Sequence, residues 1–142
     1  MIYALAIAIA YLLGSIPFGL ILARAQGVDL RSVGSGNIGA TNVSRALGKN
    51  WGYVCSVLDI CKGLLPMLLT LWLIKPRMMA AELKEIHFIT LWLGVACSAM
   101  LGHIFPVYVG FRGGKGVATS FGVALGLWPY YTICALIVLI IW

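Results

Sequence analysis

The first charged side chain in this sequence is Arg24, and the 23 residues before it, Met1 to Ala23, are nearly all apolar. A stretch of that length constrains the fold strongly, because roughly 20 helical residues cross the hydrocarbon of a bilayer. It is longer than the ~7–15-residue apolar core of a cleavable signal, and no basic stretch precedes it. A retained spanning helix is expected. The rest of the chain agrees: 62% of its 142 residues are hydrophobic and only 10% are charged. Soluble domains are nearer half apolar and a quarter charged, and so much apolar surface in water would drive association. Composition therefore favours one all-α membrane domain over residues 1–142, a polytopic bundle of spanning helices.

Five apolar segments can be marked: Ile2–Ala23, Trp51–Ile74, Ile86–Val109, Val117–Leu127 and Tyr130–Trp142. The last two admit two readings, a short helix ending at the turn Gly126-Leu-Trp-Pro129 or one helix kinked at Pro129. The final segment is too short to span and stops without a cap or polar tail, so the chain is expected to be C-terminally incomplete. Three polar stretches lie between the segments: Arg24–Asn50, Lys75–Glu85 and Gly110–Gly116. Loops one and three hold six Lys and Arg between them and loop two holds three. The positive-inside rule then places loops one and three, about 24–50 and 110–116, in the cytoplasm and the N-terminus outside.

The net charge of +6 does not imply nucleic acid, because the cations fall between apolar runs and form no basic face on a soluble domain. Anionic lipid or small anionic substrates are the expected partners. Cys55, Cys61, Cys97 and Cys134 are scattered without a C-x-x-C pair and read as small buried residues, with no metal site.

Loop one reads Gly34-Ser-Gly-Asn-Ile-Gly-Ala-Thr-Asn-Val-Ser-Arg45. It contains G-x-G-x-x-G by letters (Gly34, Gly36, Gly39), with Asp59 at a suggestive distance beyond. A dinucleotide site needs strands around that motif, and here apolar helices flank it. The chemistry of the loop survives without that fold. Closely spaced glycines allow successive N–H groups to converge on an anion, while Ser35, Asn37, Thr41 and Asn42 add neutral hydrogen-bonding groups. Arg45 adds a planar fork suited to phosphate. The competing account is a plain interhelical connection.

Loop three reads Gly110-Phe-Arg-Gly-Gly-Lys115-Gly-Val-Ala-Thr119. It is no Walker motif, since Val109 stands at its first glycine position and Gly116 follows the lysine. A lysine among Gly113, Gly114 and Gly116 just before a helix start makes a second anion site; a positive-inside stop signal would not need the glycines.

Asp59 and Lys62 are three apart within an apolar run and share a helix face. Ionisable groups inside a membrane are functional by default, but a pair that neutralises itself and pins helix packing is the plainer account. His103 stands just ahead of loop three, either at the site or bonded to a backbone carbonyl. Neither His87 nor His103 has an Asp four residues on, so the local His–Asp dyad of the common glycerolipid acyltransferases is missing. No Asp-rich cluster for Mg²⁺ and no serine with a nearby base is evident.

Taken together, Gly14-Ser-Ile-Pro-Phe18, Gly34 to Val43, Leu58-Asp-Ile-Cys-Lys-Gly63, Gly102-His-Ile-Phe-Pro106 and Gly113-Gly-Lys-Gly-Val-Ala-Thr119 resemble the bacterial acyl-phosphate:glycerol-3-phosphate acyltransferase family, PlsY. The resemblance runs over nearly the whole chain and implies a seven-helix inner-membrane fold, of which about five apolar segments are present. It implies acyl transfer from acyl phosphate to the 1-hydroxyl of glycerol 3-phosphate, giving lysophosphatidic acid, with no metal, cofactor or nucleotide. By position it implies Ser35, Arg45 and Lys115 as catalytic residues. Gly36, Asn37, Gly39, Thr41, Asn42, His103, Gly113, Gly114 and Gly116 are then substrate-binding. The family's third motif, with Asn, Arg and Glu, has no match before Trp142, so part of the site is expected to be missing. The rival class is a non-enzymatic small-anion transporter subunit, which would set the two loops on opposite faces and line a path through the bilayer.

Overall fold

The structure, a computed structural model, describes residues 2–127; the alternatives for Pro129 and the segment Tyr130–Trp142 lie outside them. Every regular element among the described residues is helical. The first apolar run, expected as one helix, is broken in two: α1 (Ile2–Gly14) and α2 (Phe18–Ala25). The cause is Pro17, which lacks an N–H and drives Ile16 out of the helical region. A carbonyl freed in a bilayer needs an internal partner. Ile16 has one, because Lys62 Nζ donates to its oxygen at 2.8 Å from the neighbouring helix α4 (Lys49–Leu69).

Loop one is a folded unit. Asp29 caps a 3-10 turn at Leu30–Ser32 by accepting from the Arg31 N–H at 3.0 Å. An eight-residue helix, α3 (Ala40–Leu47), follows, and Gly48 turns the chain into α4. Apolar residues hidden among the polar letters hold this unit down. Leu30, Ile38 and Val43 pack with Leu20, Ala23 and Cys55 into a core of their own.

Loop two is shorter than its polar letters imply. The helix continues from α4 through a π turn at Thr70–Ile74 into α5 (Lys75–Ala80), and only then turns toward α6 (Glu85–Ile104). Lys75 and Arg77 are accommodated on the helix surface, where long cationic side chains can extend to water. A 3-10 turn at Val107–Val109 leads through loop three to α7 (Val117–Gly126).

Among the described residues three stretches are long and apolar enough to cross a membrane: Ile2–Ala25, Lys49–Ala80 and Glu85–Val109. They pack as α1 on α6 and α4 on α7, and glycine sets both contacts. A Cβ at Gly14 would overlap the Ala99 carbonyl, and one at Gly102 the Tyr11 carbonyl. Across the other pair, Gly63 meets the Thr119 carbonyl and Gly122 the Ile60 carbonyl. Close backbone approach is how helices gain dispersion energy where lipid supplies no hydrophobic drive. A second core joins them through Ala10, Met67, Leu91, Val95, Ala99 and Val123. Leu5, Leu12, Ile21, Trp72, Leu93 and Leu101 point outward. So do Cys61 and Cys97, against the expectation that all cysteines are buried. A lipid-facing thiol costs little, which is why burial and apolar character separate here.

Candidate active site

Loops one and three meet at one end of the bundle. Arg31 Nη2 donates to the Arg112 carbonyl at 2.9 Å, tying one loop to the other. Beside this tie opens a cavity of about 630 Å³, and both loops line it. Loop one and α3 contribute Ser35, Asn37, Gly39, Thr41, Asn42 and Arg45; α6, loop three and α7 contribute His103, Lys115, Gly116 and Val117. Ser56, Asp59 and Ile60 of α4 close the inner wall with Phe121. The two cations expected to act together therefore do share one space. Opposite faces, which the transporter reading requires, are not where the loops lie.

The glycines of loop one make its turn but do not make the expected nest. Gly34 and Gly36 take left-handed φ values of 57° and 65°, a region costly for other residues. Their surroundings are already engaged: the Ser35 N–H donates to Asn42 Oδ1 at 3.1 Å, Gly36 N–H to the Val33 carbonyl at 3.0 Å, and Gly39 N–H to Asn37 Oδ1 at 2.9 Å. Gly36 does not reach the cavity wall. What faces the cavity instead is the first turn of α3, through Ala40 and Thr41. Helix starts carry unpaired N–H groups and a positive partial charge, so this turn and Arg45 are the groups of loop one chemically suited to an anion.

Asn42 lines the cavity but has its amide engaged within the protein. It is 1% exposed, and all three of its polar contacts are internal. Oδ1 accepts from Ser35, while Nδ2 donates to the Leu30 carbonyl at 3.1 Å and the Val33 carbonyl at 3.0 Å. Its side chain clamps the turn that carries Ser35 onto α3. Among the described residues the Ser35 hydroxyl, the Asn37 amide nitrogen and the Thr41 and Arg45 side chains make no hydrogen bond there.

Loop three behaves in the same way. The Gly113 N–H donates to the Ile104 carbonyl and the Gly114 N–H to the His103 carbonyl, each at 3.1 Å, so neither is free for a ligand. Both glycines lie against the end of α6 with no room for a Cβ. They belong to the support of the site and not to its wall. Gly116, at a left-handed φ of 81°, starts α7, and Lys115 stands exposed at the cavity just before that helix N-terminus. Two helix starts, one guanidinium and one ammonium thus surround a space large enough for phosphorylated small molecules, and the apolar flank of α4 and α7 adjoins it.

The inner wall holds Asp59, for which a packing pair with Lys62 is the plainer expectation and a functional role the other. Asp59 Oδ1 pairs with Lys62 Nζ at 3.0 Å, both side chains 3% exposed. That is the self-neutralising pair expected, and Lys62 pins the α1–α2 break with it. Asp59 has a second neighbour at that same oxygen, however. The carboxylate lines the cavity and lies 3.8 Å from His103 Nδ1. Of the two readings of His103, at the site or bonded to a backbone carbonyl, the carbonyl bond is not made at Nδ1, which has no hydrogen-bond partner among the described residues. The signal for Asp59 was its ionisable side chain in an apolar run; its histidine partner comes from another helix and left no local trace.

A polytopic helical membrane protein with a cation-lined cavity where its two glycine-rich loops meet is the class these features define. Comparison with known proteins gives the family. The profile of the glycerol-3-phosphate acyltransferase family matches residues 4–142. A glycerol-3-phosphate acyltransferase of Geobacter metallireducens is 50% identical over 130 residues, which are 91% of this chain and 60% of that one. One of Aquifex aeolicus is 47% identical over 84% of this chain and 57% of its own. The crystal structure of PlsY (YgiH), an integral membrane glycerol 3-phosphate acyltransferase, in its glycerol 3-phosphate form superposes with a TM-score of 0.81 at 40% identity. It is matched over 97% of this chain and 64% of that one, and its lysophosphatidic acid form gives a TM-score of 0.78. The chain belongs to the glycerol-3-phosphate acyltransferase family and spans about 60% of the length of the curated relatives it matches.

Proposed function

We propose that the protein, at its relatives' full length, transfers an acyl group from acyl phosphate to the 1-hydroxyl of glycerol 3-phosphate, releasing lysophosphatidic acid and inorganic phosphate. The observation that carries this reading is the shared cavity of Arg45 and Lys115, with Ser35 beside them. Each reactant bears a phosphate, and each phosphate can be given a cation and a helix start. Lys115 with the start of α7 holds glycerol 3-phosphate; Arg45 with Ser35 and the start of α3 holds the phosphate that leaves. The acyl chain lies along the apolar helices while its phosphate stays at the water boundary.

The hydroxyl oxygen attacks the acyl carbon, the new ester bond forms, and the acyl–oxygen bond to phosphate breaks. The hydroxyl proton passes to a phosphate oxygen. An acyl phosphate is an activated donor, so the protein's task is to position both reactants and to stabilise charge on the leaving phosphate. Membrane lipid is the surrounding medium and the destination of the product. The inner membrane of a bacterium, with both loops cytoplasmic, is the proposed location; the excess of Lys and Arg in those loops supports it.

The test uses vesicles containing the full-length protein, with labelled glycerol 3-phosphate and synthetic acyl phosphate. Lysophosphatidic acid should form only when both are supplied. Arg45→Ala and Lys115→Ala should each lose roughly 10–150-fold, the worth of a charge-assisted hydrogen bond of about 1.5–3 kcal/mol. Full activity in either variant overturns the assignment. Single cysteines at positions 35 and 115 should react with an impermeant thiol reagent from the same, cytoplasmic side.

A further inference from the structure

The sequence offers no histidine with an aspartate at local spacing, yet the fold assembles such a pair from α4 and α6. We infer that Asp59 is a positioning residue that acts through His103 to hold Lys115 in the cavity. The inference rests on the proposed acyltransferase reading and goes a step beneath it, to what keeps one of its cations in place.

Four observations support it. Asp59 and His103 have side chains 3% and 4% exposed, and Asp59 Oδ1 faces His103 Nδ1 at 3.8 Å. That nitrogen has no hydrogen-bond partner among the described residues; the Asp59 carboxylate, beyond hydrogen-bond length at 3.8 Å, is the charge that faces it. A carboxylate opposite Nδ1 favours the tautomer with its proton there, as in the second-sphere partners of other functional histidines. The opposite edge of the ring, Nε2 with Cε1 and Cδ2, fills the space a Cβ at Gly114 would take. The Gly114 N–H is bonded to the carbonyl of this same histidine at 3.1 Å. Ring and carbonyl together form a seat for Gly114, and the next residue is Lys115. A ring free to rotate would press on Gly114 or leave a gap beneath it, and the ammonium would move with the turn.

Asp59 is also engaged within its own helix, and one of these partners shares the oxygen that faces His103. Lys62 sits on Oδ1 at 3.0 Å, and the Cys55 thiol donates to Oδ2 at 3.8 Å. A change at Asp59 therefore carries a packing effect as well as the proposed positioning effect, and a mutant cycle separates the two. In the full-length protein, Asp59→Asn, His103→Ala and the double variant are compared with wild type for steady-state kinetics and for thermal unfolding in detergent.

Asp59→Asn should raise KM for glycerol 3-phosphate about tenfold, with kcat and KM for acyl phosphate within about twofold. On the His103→Ala background the same change should move KM less than about twofold, because no ring remains to orient. Its stability loss, which arises from Lys62, should be equal in both backgrounds. An unchanged KM, or equal multiplicative effects with and without the histidine, overturns the inference. Where Asp59→Asn yields no folded protein, Asp59→Leu combined with Lys62→Met removes both charges together and should show the same rise in KM. Failure of wild type to form any lysophosphatidic acid would instead refute the acyltransferase reading itself.

Discussion

Asn42 separates two roles that sequence inspection cannot tell apart, ligand and clamp. Its amide makes three internal hydrogen bonds, to the Ser35 N–H and to the Leu30 and Val33 carbonyls, within 3.0–3.1 Å. Each contributes about 1 kcal/mol net, so Asn42→Ala should weaken the turn over Leu30–Asn42 by about 3 kcal/mol. That is roughly a hundredfold in its opening equilibrium, because each ~1.4 kcal/mol is tenfold. Amide hydrogen exchange followed by mass spectrometry reads this directly: peptides spanning residues 30–42 should exchange roughly a hundred times faster, while the α1–α6 packing stays protected. Asn42→Asp should be at least as damaging, since a carboxylate oxygen replaces the donor that faces two carbonyls. Activity falls in both variants because Ser35 is no longer held. Unchanged exchange in this segment, with KM alone raised, would show that Asn42 contacts substrate and would refute the clamp.

Two further outcomes follow from the packing. Gly122→Ala places a methyl against the Ile60 carbonyl across the α4–α7 contact. The helices must separate, costing about 1–3 kcal/mol in chemical or thermal unfolding; a stability equal to wild type would contradict the close approach. Lys62→Met leaves the Asp59 carboxylate buried without its 3.0 Å partner and the Ile16 carbonyl without its donor. A loss of about 3–5 kcal/mol is expected, and Asp59→Leu in the same chain should recover a good part of it. No recovery would show that the bond to Ile16, and not the ion pair, is what Lys62 supplies.

Much of this protein could be read without a fold. The long apolar runs specify membrane helices, and the Gly-rich sequence around Ser35, Arg45 and Lys115 marks the two loops that line the shared cavity. Asn37, Gly39, Thr41, His103 and Gly116 do line the cavity as their motifs suggest. Hydropathy, charge and turn chemistry are local properties, written in consecutive residues, and so the chain alone fixes them. What each polar atom does with its hydrogen bonds is not local. Gly36, Gly113 and Gly114 looked like anion binders, but their N–H groups are spent on the carbonyls of Val33, Ile104 and His103. Asn42, expected among the substrate-binding residues, lines the cavity but has its amide bonded to Ser35, Leu30 and Val33. The break between α1 and α2 needed Lys62 from another helix to become stable. The meeting of Asp59 with His103 depended on α4 and α6 packing at one particular register. Backbone and buried polar groups must find partners wherever the fold brings them, and only the packed bundle decides which partner that is.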